Sequence, residues 1–225
     1  MKNEKNETGE NRESFLKRLN GKCTEEEIIL IELAYDLSKE AHRPTQRDGG
    51  VRYFEHPREM CLILMDELDI YDANLIIILL LHDVGEDTPL LGNILASYDL
   101  FRKKAEWRLK RMFNAEVADG VLRLTKPAKD NIRFHTREDV YSYFFQELEK
   151  SEKAILGKMI DRLHNLRSLP NDLKKIKKQV DETESVYIPI FNKICGLNKP
   201  HAHIFLLQKI KDQLEILKKS LVSQG

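Results

Sequence analysis

The sequence predicts an all-α protein folded as a single helical domain, and three observations carry that expectation. Apolar residues recur at intervals of three and four rather than two. Turn formers are scarce, with 10 glycines and 7 prolines among 225 residues. The unbroken apolar run from Leu75 to Leu81 covers every side of a helix, which places that helix at the centre of the fold.

Taken in chain order, Met1 to Arg12 is polar and reads as a disordered tail ahead of a domain over 13–222. Thr24 and Glu27 have capping-box spacing and open a helix to about Lys39, with Ile28, Ile31, Tyr35 and Leu37 on its apolar face. Pro44, Gly49 and Gly50 make 42–53 a loop. Pro57 suits the first turn of a helix reaching about Leu68. Asp72 can cap the central helix, which ends near Gly85 and Pro89. Further helices are predicted at about 98–113, 115–124, 136–149, 152–168, 171–195 and 201–221.

Lysine plus arginine number 37 and aspartate plus glutamate 37, for zero formal net charge. That balance argues against a general DNA or RNA binder, yet leaves room for a local basic pocket. Three widely separated cysteines, with no C-x-x-C pair, read as reduced thiols in a cytoplasmic protein. No basic-then-apolar leader opens the chain, and the longest apolar run is too short to span a bilayer, so no membrane association is expected.

His82-Asp83 follows the fully apolar helix directly. A carboxylate beside a buried wall is costly unless a cation or donors compensate it, although a helix end emerging into solvent would also look like this. Glu86 and Asp87 add negative charge where the helix dipole disfavours it, and one further helical turn would stack them over His82 and Asp83. Such a cluster asks for a metal ion. In the second segment, Asp161-Arg162-Leu163-His164-Asn165, a helical projection puts Leu156, Met159, Leu163 and Leu166 on one face. Gly157, Asp161, His164 and Ser168 fall opposite, beside Asn165, with no long side chain in their middle. That stripe suits a polar cleft, the other reading being a solvated face. His56, just before Pro57, is fixed in direction near a helix start. His42 could orient the loop after its helix, His135 reads as lying at a helix start, His201 and His203 as structural, and Lys126 as a surface lysine that could otherwise meet a phosphate.

Together His56, His82-Asp83 and Asp161 resemble the H…HD…D signature of the HD phosphohydrolase superfamily. The flanks are similar to the hydrolase domain of RelA/SpoT-type alarmone enzymes over about 24–195. They include Ala41-His42, Arg47, Gly50, Tyr53, Leu80 to Val84, Glu86 to Thr88, Leu124 to Lys126, Asp161 to Arg167, Glu182-Thr183, Tyr187 and Pro189. The resemblance implies metal ligands at His56, His82, Asp83 and Asp161. It also implies that Glu86 and Asp87 activate water and that Arg47 and Asn165 contact a guanine nucleotide. The family reaction is manganese-dependent removal of pyrophosphate from the 3′ position of guanosine tetra- or pentaphosphate, so a phosphorylated nucleotide is the expected substrate and Mn²⁺ the expected ion. Such a ligand set leaves open positions on a hard ion for water and a phosphate oxygen.

The departures gather in one loop. Where the family reads A-H-x-G-Q-x-R-K-S-G, this chain has Pro44 for Gly, Thr45 for Gln, Asp48 for Lys and Gly49 for Ser. Arg102, Lys103, Lys104, Arg108, Lys110 and Arg111 lie in a stretch longer than usual and could form a different basic wall, or simply a solvated face. Two alternatives therefore stay open. One is hydrolysis of another phosphorylated nucleotide or cofactor; the other is nucleotide binding without turnover.

Overall fold

The structure, a computed structural model, describes residues 11–47, 50, 52–130, 132–196 and 200–223. Its described residues are helical with no strand, only the isolated bridges Asn20–Cys23 and Gln46–Arg52. The first helix, α1 (Arg12–Lys17), is capped by Asn11, and Arg12 is hydrogen-bonded to Glu32 and Asp36. The last two residues of the expected tail therefore belong to the folded part; residues 1–10 lie outside the described set.

In α2 (Glu25–Ala41) the Thr24–Glu27 capping box forms in both directions. The buried residues are Ile31, Ala34, Tyr35 and Ser38, so the apolar face is turned slightly from the expected one, and Ile28 and Leu37 sit at its margin. Helix α3 (Glu55–Leu62) continues into a π-helical turn over Ile63–Glu67. Asp72 caps α4 (Ala73–Leu81), its Oδ1 accepting the Leu75 N–H at 2.8 Å. A short turn, α5 (Val84–Asp87), follows α4 directly.

The expected later helices appear as α6 (Tyr98–Met112), α7 (Ala115–Leu124), α8 (Arg137–Leu148) and α9 (Glu152–Arg167). The single helix expected at 171–195 is interrupted. It divides into α10 (Leu173–Glu182), a π-helical turn over Thr183–Tyr187 and α11 (Ile188–Cys195), before α12 (His201–Ser223).

Every residue from Leu75 to Leu81 is buried, because α2, α3, α7 and α9 surround α4. Two glycines let those neighbours approach. A Cβ at Gly120 on α7 would overlap the Ile78 side chain, and one at Gly157 on α9 would press on Leu124 and Leu79 at 3.0 and 3.2 Å. Gly157 thus belongs to the packed side of α9 rather than to a polar stripe. α12 closes the far side of α9 and packs on α10 and α11.

No helix among the described residues is long and apolar enough to cross a membrane.

Candidate metal centre

The central helix delivers His82 at its C-terminal end, with Asp83 at the junction to α5. α3 presents His56 from its first turn, and α9 presents Asp161. His56, His82 and Asp161 are buried and offer ligand atoms that all lie within 4.8 Å of one another. His56 Nε2 is 3.2 Å from Asp161 Oδ1 and 3.6 Å from Asp83 Oδ2, while His82 Nε2 is 3.1 Å from Asp83 Oδ2. On the other side of its ring, His82 Nδ1 lies 2.7 Å from the Leu79 carbonyl, which can only accept. The Nδ1–H is therefore committed, and Nε2, buried without a hydrogen-bond partner, faces the cluster.

The charges fit a cation. Burial opposes the charged form of His82, yet Asp83 and Asp161 raise the ring to about 9. Burial likewise works against the Asp83 and Asp161 carboxylates. His82 and His56 nevertheless hold Asp83 below the usual carboxylate range, and Lys158 and His56 hold Asp161 well below it. Two imidazoles and the Asp161 carboxylate around one buried point, with Asp83 beside both rings, are a donor set that fits a divalent metal.

The other expected residues lie beside this point. Glu86 is pushed up to about 8 by burial and by the charge of Asp83, and it accepts a hydrogen bond from the Lys126 N–H. Asp87 is also raised, by burial and again by Asp83 after the opposing effect of Tyr53. Arg47 Nη2 donates to Asn165 Oδ1 at 2.6 Å, and Asn165 Nδ2 donates to Asp161 Oδ1 at 2.7 Å, linking both residues to the cluster. The loop departures Pro44 and Thr45 sit in the turn after α2, with Thr45 N–H bonded to the His42 carbonyl; Asp48 and Gly49 lie outside the described residues.

Four neighbours had no place at the cluster in the sequence reading. Lys158, a long side chain in the stripe expected to have none, puts Nζ 2.7 Å from Asp161 Oδ2. Tyr53 donates its hydroxyl to Asp83 Oδ2 at 3.0 Å, and buried His42 stacks on the Tyr53 ring at 4.6 Å. His164 meets His56 at 2.8 Å, Nδ1 to Nδ1. The i,i+3 spacing of Lys158 and Asp161 was visible, since a lysine on a buried helix needs a carboxylate. The basic residues of α6 take other partners. Arg102 binds Tyr143 and Glu147, Arg108 the Leu90 carbonyl and Lys110 Glu106.

No protein-family model matches the chain. It is 30% identical over 192 residues to a guanosine-3′,5′-bis(diphosphate) 3′-pyrophosphohydrolase of Haemophilus influenzae, covering 80% of this chain and 23% of that protein. It is 28% identical over 201 residues to the bifunctional (p)ppGpp synthase/hydrolase SpoT of Escherichia coli, covering 86% of this chain and 24% of that protein. The chain thus spans about a quarter of the length of the curated relatives it matches. Among solved structures, a metazoan orthologue of SpoT that hydrolyses ppGpp shares the fold. Its TM-score is 0.55 at 22% identity, covering 82% of this chain and 94% of that one.

Proposed function

Because this chain is homologous over most of its length to one segment of the (p)ppGpp 3′-pyrophosphohydrolase/SpoT proteins, we propose that it is a metal-dependent hydrolase removing pyrophosphate from the 3′ position of guanosine tetra- or pentaphosphate. The observation that supports the reading is the convergence of buried His56, His82 and Asp161, with Asp83 Oδ2 3.1 Å from His82 Nε2 at the edge of the group. These four residues would hold the ion, with Mn²⁺ the proposed species. When bound, the ion supplies Lewis acidity at a phosphoryl oxygen and makes water a stronger acid.

The remaining chemistry belongs to the chain. Glu86 and Asp87 would orient the attacking water at the 3′-phosphoryl group. As a carboxylate, Glu86 would take that proton and pass it to the departing 3′ oxygen. The new phosphorus–oxygen bond forms as the bond to the 3′ oxygen breaks, releasing pyrophosphate. Arg47 and Asn165, already hydrogen-bonded to each other, would hold the nucleotide beside the cluster. Lys158 balances the charge of Asp161 from within the protein.

The test is to incubate the purified protein with guanosine 3′,5′-bis(diphosphate) and Mn²⁺ and identify the products. Pyrophosphate and GDP are expected, and the His82→Ala/Asp83→Ala variant should release neither. Orthophosphate alone, or nucleotide binding without turnover at saturating Mn²⁺, would overturn the reading. A second reading, hydrolysis of another phosphorylated nucleotide, is supported by Pro44 and Thr45 in the loop carrying Arg47. A panel of 2′- and 3′-phosphorylated nucleotides in the same assay separates the two.

A further inference from the structure

The two histidines of the cluster are held differently on their outer sides. His82 Nδ1 has a backbone carbonyl, a fixed acceptor. The corresponding atom of His56 meets another imidazole, His164 Nδ1, at 2.8 Å. The rings are tilted by 55° with centroids 4.7 Å apart, so the contact is made through the nitrogens rather than by stacking.

A hydrogen bond between two ring nitrogens needs one proton, not two or none. To ligate an ion through Nε2, neutral His56 must carry its proton on Nδ1 and donate it outward. His164 Nδ1 must then be the acceptor, with the His164 proton on Nε2. His164 also lines a cleft of about 360 Å³ with Glu59, Asp66, Glu67 and Arg167, of which Glu67 is paired with Arg167. Without an ion, His56 Nε2 can instead carry its proton toward Asp161 Oδ1 at 3.2 Å, and the bond to His164 reverses. An imidazole accommodates both states because it can donate or accept at the same atom; a carboxylate or carbonyl could only accept.

We propose that His164 is the positioning residue for His56, fixing through its Nδ1 the tautomer and ring direction with which His56 ligates the ion. The inference rests on the metal-centre reading above and adds a role to a residue one helical turn past Asp161. It also explains why α9 carries an imidazole where another polar side chain would suffice to face a cleft.

Mn²⁺ binding to the purified protein, measured by titration calorimetry without nucleotide, tests this. His164→Phe keeps an aromatic ring but offers no acceptor, and should weaken Mn²⁺ binding by about 10- to 100-fold. His164→Asn, whose Oδ1 can occupy the place of Nδ1, should stay within about threefold of the unsubstituted protein if the acceptor is what matters. His56→Ala serves as the reference for a lost ligand. Unchanged binding in His164→Phe, with binding lost in His56→Ala, would overturn the positioning role and leave the site intact. Equal weakening of the folded His164→Phe and His164→Asn variants would also overturn it, since packing rather than hydrogen bonding would then be responsible. Unchanged binding in both His56→Ala and His82→Ala would instead sink the metal site itself.

Discussion

At the scale of single residues, the cluster is a problem of charge balance. Asp161 is almost fully buried, and Lys158 is the permanent cation beside it. Removing one partner of a buried pair typically costs about 3 kcal/mol or more, because the other charge is left uncompensated. Lys158→Met should therefore lower stability by about that amount in the absence of metal. Added Mn²⁺ should recover part of the loss by supplying the missing positive charge. Chemical denaturation with and without Mn²⁺ measures both; a deficit of equal size in the two conditions would contradict the charge-balance account. The difference between Lys158 and the expected ligands is instructive. His82-Asp83 could be read from sequence because a polar pair ending an all-apolar run is conspicuous in one dimension. His164 acquires its meaning only when α9 is set against α3, whereas the Lys158–Asp161 pair lies within α9 at a spacing the sequence shows.

At the scale of elements, close helix approach and unusual capping carry the fold. Gly120 lies where α7 crosses α4, and a Cβ there would overlap Ile78. Alanine is the better helix former by about 1 kcal/mol, but overpacking against a stiff β-branched side chain costs about 1–3 kcal/mol. Gly120→Ala should thus destabilise, and Ile78→Val in the same chain should restore part of the loss in thermal denaturation.

α6 begins without a side-chain cap from Ser97; instead Asp130, distant in sequence, accepts the Tyr98 N–H at 3.0 Å and the Ile132 and Arg133 N–H groups. These bonds, opposed by desolvation, lower the Asp130 carboxyl to about 2. A carboxyl held below its ordinary value stabilises the fold above that ordinary value, and the benefit disappears as pH falls through the lowered one. Asp130→Asn should cost about 1 kcal/mol near neutrality, and the gap to the unsubstituted protein should close between about pH 4 and 2. Thr24 and Asp72 were legible as caps because their partners lie three residues on. Asp130 was not, and neither were the π-helical turns after α3 and α10, which follow from packing and have no local signature.

At the scale of the whole molecule, the proposed ligands come from α3, the end of α4 and α9, so an ion binding them would tie together segments more than a hundred residues apart in sequence. A ligand that binds only the folded chain stabilises it by about 2.7 kcal/mol at a hundredfold excess over its dissociation constant. For a chain of this size that corresponds to a rise in melting temperature of about 5–10 °C. Mn²⁺ should produce such a rise in the unsubstituted protein and none in His82→Ala/Asp83→Ala, as followed by circular dichroism. The all-helical architecture was accessible from apolar spacing alone. The loop carrying Arg47 was less so, because its residues have no periodic core face to mark them.

The burial of α4 has one more consequence. Amide protons in its last turn, Ile78 to Leu81, have no solvent-facing side from which to exchange by local fraying. They should exchange with deuterium only through global opening and rank among the slowest in the chain. His82 is joined directly to that turn, whereas Arg47 belongs to a surface loop. Measured by amide exchange, the two halves of the proposed site should therefore age differently: the half at the end of α4 on the clock of complete unfolding, the half around Arg47 on that of a loop.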